Sequence, residues 1–185
     1  MKISRAYKAE LKPNNKQIGL FNRSIGCARF VFNWAVRRRR NAYEWCKTFA
    51  AYAADDIAEY DELRKRFARS AVPNRVVQSR ELTQLKKEKL WLKFPDAMTL
   101  VGVIRDDVDS AFKNFFRGCA KGEGIGYPRF RKKGCHESFV VNYQQTKVEK
   151  DRIKLGKLGW VRLKRWGYLP QDVHINSVTI SRAGQ

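Results

Sequence analysis

The densest group of chemically capable side chains in this sequence lies in residues 127–133, where cations alternate with aromatic rings. Pro128 favours an extended backbone, in which Arg129 and Arg131 point to one side and Phe130 points to the other. Guanidinium groups at that spacing match successive phosphates of a nucleic-acid strand, and aromatic rings can stack on bases. The alternative is that the aromatic rings anchor the segment in a core while the cations are merely exposed. We predict phosphate contacts from Arg129, Arg131, Lys132 and Lys133.

Two further clusters on predicted helices are candidates for the same partner. Four arginines occupy positions 37–40, late in a predicted helix. Consecutive residues fan around a helix, so at most two of these side chains can follow one phosphate backbone. On a later helix, Phe112, Phe115 and Phe116 have the spacing of a core-facing stripe. That stripe leaves Lys113 and Arg117 to project toward solvent or RNA.

The sequence shows no catalytic or metal-binding constellation. The two histidines, His136 and His174, have no evident nucleophile partner. Asp106, Asp107 and Asp109 cluster on one predicted helix, whereas a two-metal site needs carboxylates from separate elements. We therefore predict no active site, no metal site and no cofactor in this chain.

The cysteines and the glycine-rich segment add no site to this prediction. Cys27, Cys46, Cys119 and Cys135 contain no C-x-x-C pair, which a structural zinc site would require. Free thiols in a reducing compartment are the expected state. The glycines at 122–126 do not form a phosphate loop, because no Lys-Ser or Lys-Thr pair follows them.

The net charge identifies the class of partner. The 185 residues include 39 Lys and Arg against 18 Asp and Glu, a net charge of +21, and 43% are hydrophobic, enough for a core. A surface with that excess repels itself, and a polyanion relieves the repulsion. A membrane partner would require an apolar span or a basic amphipathic helix, and the N-terminus lacks the apolar core of a signal peptide. We expect nucleic acid as partner, no membrane association, and a prokaryotic cytoplasmic, nucleoid-associated location.

This charge is unevenly distributed along the chain. Residues 1–45 hold 11 basic and 2 acidic side chains, and residues 117–166 hold 14 and 4. Residues 94–116, between them, hold 2 basic and 4 acidic side chains. The pattern predicts two basic surfaces beside a mildly acidic helix, the alternative being an ordinary solvated face.

The N-terminal two thirds of the chain predict a strand followed by helices. Residues 2–11 alternate loosely, which is typical of a strand. Residues 16–47 then have apolar positions at the helical period, after a cap at Asn14 or Asn15. Gly26 lies inside this pattern and marks either a turn or a close approach of helices.

Prolines divide the helical region further. Residues 48–93 continue helical and are split by Pro73. Pro95 is placed in the first turn of a third helix, which runs from residue 96 to residue 117.

After Gly118 the pattern changes to short strands. An N-terminal strand, a helical block and then several strands predict an α+β fold, in which an antiparallel meander or small barrel is interrupted by a helical insertion. The predicted strands are Ser138–Tyr143, Arg152–Leu155, Trp160–Leu163 and Ile175–Ser181.

Several short motifs, in this order and spacing, resemble TnpB (OrfB) proteins of insertion sequences, which are related to type V CRISPR effectors. The resemblance covers nearly the whole chain. It starts with the segments at 7–14 and 26–34 and continues through those at 81–86 and 91–92. It is strongest at Ala111–Arg117, Tyr127–Lys133 and Leu158–Val161, and it ends at Ser177–Ser181.

The resemblance implies an OB-like wedge β-barrel formed by residues 1–12 and 118–185, with a helical recognition domain at 13–117 inserted in it. It also implies that a guide RNA and a double-stranded target DNA are the partners. Family members cut DNA with a RuvC-type domain that uses three acidic residues and divalent metal. We expect that domain to be absent from this chain, so that Mg²⁺ would be needed only by the missing part.

The resemblance also suggests positions for nucleic-acid contacts and shows departures from the family pattern. Residues 48–73 look like an insertion. Met98 and Gly102 stand where the family can carry polar DNA-reading side chains. The full set of predicted nucleic-acid-binding residues is Arg29, Asn33, Arg75, Ser79, Lys113, Arg117, Arg129, Arg131, Lys132, Lys133, Gln144 and Gln145.

Three functional hypotheses remain open from the sequence. The first is the nucleic-acid-binding part of an RNA-guided DNA endonuclease, without its catalytic domain. The second is a free-standing, guide-independent DNA- or RNA-binding regulator. The third is a decayed transposase fragment. The oligomeric state, the guide and the target-adjacent motif are not predicted.

Overall fold

The first helix organises the fold. The computed structural model describes residues 4–135, 137–141, 143–171 and 173–182. Helix α1 spans Asn15–Ala53, six residues beyond the predicted end. Asn14 caps it, as predicted: its Oδ1 accepts from the amide of Gln17 at 2.9 Å, and the Gln17 side chain accepts from the amide of Asn14 at 3.0 Å. Gly26 marks neither a turn nor a close approach, since the helix continues and no neighbour lies within 4 Å of a Cβ built there.

Two shorter helices follow, on either side of Pro73 as predicted. Helix α2 (Ile57–Ala71) is capped by the Asp56 carboxylate, and helix α3 (Arg75–Glu88) by the Asn74 side chain. Helix α2 packs against α1 and has no buried residue. A 3₁₀ turn at Leu90–Lys93 then leads toward the acidic region.

The third predicted helix is present with a different start and end. It comprises α4 (Ala97–Gly102), a π-helical turn (Val103–Val108) and α5 (Asp109–Ala120). Asp96 caps α4 by accepting from the amide of Met98 at 2.9 Å, so Pro95 precedes the cap rather than lying in the first turn. This difference follows from the side-chain oxygen of aspartate, which makes it the preferred cap.

The strands form two antiparallel sheets. The larger has the order β1 (Leu11–Lys12), β5 (Trp160–Leu163), β4 (Arg152–Leu155) and β3 (Thr146–Val148). The smaller pairs β2 (Ser138–Val141) with β6 (Val178–Ser181). The α+β class is thus confirmed. Among the described strands no pairing joins the two sheets into a closed barrel, and the barrel and the domain boundaries stay predictions.

The N-terminal strand is shorter than predicted. Of the described residues 4–12, only Leu11 and Lys12 pair, with Leu163 and Arg162 of β5. The Lys164 amide donates to the carbonyl of Glu10 at 2.9 Å and extends the contact by one residue. Residues 1–3 lie outside the described residues.

One hydrophobic core joins α1, α3, α4 and α5 to both sheets. The α1 side chains in it recur at the helical period, and the strand side chains in it alternate with exposed ones. The Gln17 side chain also donates to the carbonyl of Trp160 at 2.7 Å, which fixes the start of α1 against β5. The fully buried core includes Val31, Val36, Leu82, Leu92, Leu100, Ile104, Val108, Leu155 and Val161.

Candidate nucleic-acid interface

The outer face of the four-stranded sheet carries a row of three cations. The strand register places Lys12 opposite Arg162, and Arg162 opposite Arg152. All three residues are exposed, while Ile153, Val161 and Leu163, their neighbours along the strands, are buried. The row is about 10 Å across, because neighbouring strands lie about 4.8 Å apart.

A second row lies beside the first on the same face. Trp160 stands opposite Lys154, and Lys154 stands opposite Lys147. The Arg152 guanidinium lies over the Trp160 ring, 4.7 Å from its centroid, and connects the two rows. The face therefore combines five cations with one indole ring.

Like charges directly opposite each other destabilise a sheet. In this face only Arg152 has acidic neighbours within 4.0 Å among the described residues: Glu149, whose hydrogen bond raises the pKa of Arg152, and Asp151 at 4.0 Å. Lys12, Lys147, Lys154 and Arg162 have no carboxylate within 4.0 Å among those residues. A bound polyanion would relieve the repulsion, and phosphate groups are the chemistry that fits.

The basic segment at 127–133 is only partly exposed. Arg129, Lys132 and Lys133 are exposed, and their contacts with phosphates stay a prediction. The Arg131 guanidinium instead lies 3.9 Å from the Phe32 ring centroid and pairs with Asp107 at 2.8 Å, with 18% of the side chain exposed. This arrangement differs from the prediction that Arg131 faces phosphates alongside Arg129.

Asn33 holds the same segment in place. Its amide donates to the carbonyl of Arg131 at 3.0 Å, and its Oδ1 accepts from the Arg131 amide at 2.8 Å. This bidentate contact joins α1 to a strand-like stretch with no sheet partner. Asn33 and Arg131 thus have structural contacts, and their role in binding nucleic acid stays a prediction.

The aromatic rings of the segment behave differently from each other. Tyr127 stacks on Phe115, with ring centroids 4.7 Å apart, and burial together with its hydrogen bond to Glu44 raises its pKa. It is a core anchor, as the alternative interpretation had it. Phe130 is 40% exposed, beneath the Arg37 guanidinium at 5.6 Å, and is not part of the core.

The four arginines at 37–40 lie in the middle of α1, not late in it, because the helix continues to Ala53. Arg39 is buried, pairs with Asp109 at 2.6 Å and donates to the Gln78 side chain at 2.7 Å. Arg38 pairs with Glu81 at 3.1 Å on the surface. Only Arg37 and Arg40 present exposed cations without an ion pair among the described residues, and each lies over an aromatic ring.

The predicted core-facing stripe of phenylalanines on α5 is confirmed in part. Phe112 and Phe115 are buried, whereas Phe116 is 44% exposed and is not a core residue as predicted. Lys113 and Arg117 project to solvent. Arg29 is half-buried, with its guanidinium 3.8 Å from Glu137, whose pKa is lowered by the Gly134 amide and by Arg182.

The three aspartates of the acidic region each have an arginine partner. Asp106 pairs with Arg105 at 2.8 Å, which lowers the pKa of that carboxyl group. Asp107 and Asp109 pair with Arg131 and Arg39. Each of these carboxylates is thus neutralised by a neighbouring guanidinium group. No cluster of three or more potential metal ligands occurs in the part of the chain that the structure describes.

The remaining predicted contact residues lie in two places. Arg75 is exposed at the start of α3, and Ser79 donates to its carbonyl at 2.7 Å within the helix. Gln144 and Gln145 lie in a 3₁₀ turn that lines a pocket with three lysines. Met98 is 49% exposed, and Gly102 is buried.

The four cysteines carry free thiols. Cys27 and Cys46 are buried, and burial raises the pKa of the Cys27 thiol to about 11. Cys119 and Cys135 are exposed. His136 lies outside the described residues.

The sequence of this chain is similar to those of known proteins. Residues 1–47 match the helix-turn-helix domain of OrfB proteins of the IS605 group, a DNA-binding domain. In this structure the helical part of that range belongs to the continuous helix α1, with no turn inside it.

The chain is homologous to TnpB-type proteins of insertion sequences. It is 30% identical over 166 residues, 89% of its own length, to the putative RNA-guided DNA endonuclease InsQ of Escherichia coli K12. It is 26% identical over 184 residues to a putative RNA-guided DNA endonuclease of Streptomyces pristinaespiralis. The matches span 34% and 39% of those relatives, so the chain corresponds to little more than a third of their length.

None of the helices in the described ranges is both long and apolar enough to cross a bilayer.

Proposed function

We propose that this chain binds a guide RNA together with double-stranded target DNA, and that it is the binding part rather than the cutting part of an RNA-guided endonuclease system. The observation that carries the proposal is the outer face of the four-stranded sheet. There cations of neighbouring strands stand directly opposite each other with few acidic partners. Homology to proteins named RNA-guided DNA endonucleases supports RNA and DNA as the polyanions.

Two groups of cations would contact the nucleic acids: those of the sheet face, and other exposed cations outside the sheet. The face offers five cations and the Trp160 ring, suited to a phosphate backbone with an unpaired base. The other exposed cations that we propose as contacts are Arg37, Arg40, Lys113 and Arg117 on the helices, and Arg129, Lys132 and Lys133 in the basic segment. We further propose that the two sheets together represent the wedge-type barrel that the family resemblance implies, with the helices inserted between β1 and β2.

The test is the salt dependence of binding to a structured RNA and to a DNA duplex. Neutralising several phosphates should make affinity fall about 10³-fold or more between 50 and 200 mM salt. The variant Lys147→Ala/Lys154→Ala/Arg162→Ala should lower the slope by about three phosphate contacts. A matched variant, Lys65→Ala/Arg66→Ala/Arg69→Ala on the surface of α2, removes the same charge elsewhere. Equal slopes for the two triple variants would reject the sheet face as the contact.

The second candidate is a guide-independent DNA-binding regulator, favoured by the helix-turn-helix match at residues 1–47. The uninterrupted α1 does not provide a separate recognition helix in that range, so the first candidate fits better. Duplex binding that is unchanged by added RNA would favour the regulator. Duplex binding that requires RNA would favour the guide-dependent function.

A further inference from the structure

Two adjoining cavities lie where the helical region meets both sheets. The first, about 250 Å³, is an apolar chamber walled by Leu20, Phe94, Phe139 and Leu155. The second, about 410 Å³, has a mouth of three lysines, Lys147, Lys154 and Lys157, together with the Gln144 and Gln145 side chains. Gly156 and Lys157 line both cavities, so the chamber and the lysine mouth adjoin at the end of β4.

The junction at Gly156 carries polar groups. A Cβ built on Gly156 would lie 2.9 Å from Oε1 of Gln145 and 3.9 Å from Oδ2 of Asp96. The Gln145 amide, which lines the lysine mouth, and the Asp96 carboxylate, which lines the chamber, therefore both lie close to the backbone of Gly156. The φ of Gly156 is +53°, so another residue would be strained as well as crowded here.

The charge at the mouth is not balanced locally. Lys147 and Lys154 stand directly opposite each other on β3 and β4. Lys86, on α3, faces Lys157 and Asp96, and burial together with the Lys157 charge lowers its pKa while Asp96 opposes that shift. Three lysines thus line this opening, and Lys86 and Asp96 lie close to one of them, Lys157.

An apolar chamber with a cationic entrance matches a ligand that has a flat apolar part joined to a phosphate. Proteins that take a base out of its stack hold it between aromatic and apolar side chains and bond its polar edge. A cavity of about 150 Å³ already accommodates benzene, so about 250 Å³ is sufficient for a base. We propose that this composite pocket binds a single nucleotide, with the base in the chamber and the phosphate on Lys147, Lys154 and Lys157.

In this arrangement the Gln145 amide and the Asp96 carboxylate meet the polar edge of the base. The nucleotide can be a free one or an extruded residue of a bound strand. The second source rests on the proposed function, because it requires a bound nucleic acid.

The experiment has two arms, each with the wild-type chain and three single variants. Leu20→Trp fills the chamber, Lys157→Ala removes a cation from the mouth, and Lys87→Ala is the control on the exposed side of α3. The first arm measures binding of adenosine 5′-monophosphate and of ribose 5-phosphate by calorimetry. The second measures the fluorescence of a 2-aminopurine placed within a short single-stranded RNA. Thermal melts establish that each variant is folded.

We expect adenosine monophosphate to bind at least about tenfold more tightly than ribose 5-phosphate, and Leu20→Trp to abolish that difference. Lys157→Ala should weaken both ligands, and Lys87→Ala neither. If only the strand responds, with a 2-aminopurine signal that Leu20→Trp removes, the extruded base is the occupant. If Leu20→Trp does not fold, the pocket is still tested by the affinities of adenosine monophosphate and ribose 5-phosphate for the wild type and for Lys157→Ala.

Equal affinity for the two small ligands, together with a 2-aminopurine signal unaffected by Leu20→Trp or Lys157→Ala, would overturn the pocket. The proposed function would survive that result if salt-dependent RNA binding persists. Loss of all RNA binding by the wild type would instead reject the proposed function.

Discussion

Replacing Arg39 with methionine tests how the helical region is held together. The Arg39 guanidinium is buried between α1, α3 and α5, where it pairs with Asp109 at 2.6 Å and donates to Gln78 at 2.7 Å. Methionine retains much of the apolar volume but leaves Asp109 without its partner. Removing one member of a buried ion pair costs about 3–5 kcal/mol. Because 16% of the Asp109 side chain is exposed, water can partly solvate it, and we expect about 3 kcal/mol.

The matched control is the neighbouring Arg38→Met. Arg38 has the same side chain on the same helix, but its pair with Glu81 is exposed, and such pairs contribute about 0.2–1 kcal/mol. Urea unfolding should show the large loss for Arg39→Met alone. In thermal melts, about 3 kcal/mol corresponds to about 6–12 °C in a chain of this size. Similar losses for both variants would refute the assignment of Arg39 as the buried connection.

Two further predictions concern the N-terminus and the acidic region. Deleting residues 1–11 removes the partly buried Leu11 and leaves only Lys12 of β1, so stability should fall by about 2 kcal/mol, with helix content by circular dichroism retained; an unchanged melt would mean that β1 contributes nothing to the sheet. The chain should not nick plasmid DNA with Mg²⁺ or Mn²⁺, with or without RNA, because Asp106, Asp107 and Asp109 are paired with arginines. Nicking that Asp106→Asn abolishes would contradict this prediction.

The helices could be predicted from the sequence because their signals are local. The cap at Asn14, the break at Pro73 and the apolar period of α1 all act within a few residues. The same locality explains the failures. Gly26 is tolerated inside α1 because long-range packing of its neighbours stabilises the helix, which a local breaker signal does not reveal.

The sheet was predicted only in part. Strand β3 has three residues and follows two glutamines, so it shows too little alternation to be recognised. The cation rows depend on strand register, which places Lys12 beside Arg162 across 150 positions of sequence. No spacing in the sequence reveals that juxtaposition. The inward orientation of the Arg131 side chain could not be predicted either, because its partners Asp107 and Phe32 lie on two helical segments that are distant in sequence.

The length of α1 has a mechanical consequence. Its 39 residues form a rod about 58 Å long, of which the start is attached to β5 through Gln17. Its far end packs against α2, whose side chains are all at least partly exposed; Tyr52 of α1 and Ile57 of α2 are 90% and 83% exposed. We therefore expect local stability to decrease along α1, from the sheet to the end that packs against α2. We expect α2 to separate from α1 without displacing the sheet and its cations, so that one end of the molecule adapts its shape without disturbing the other.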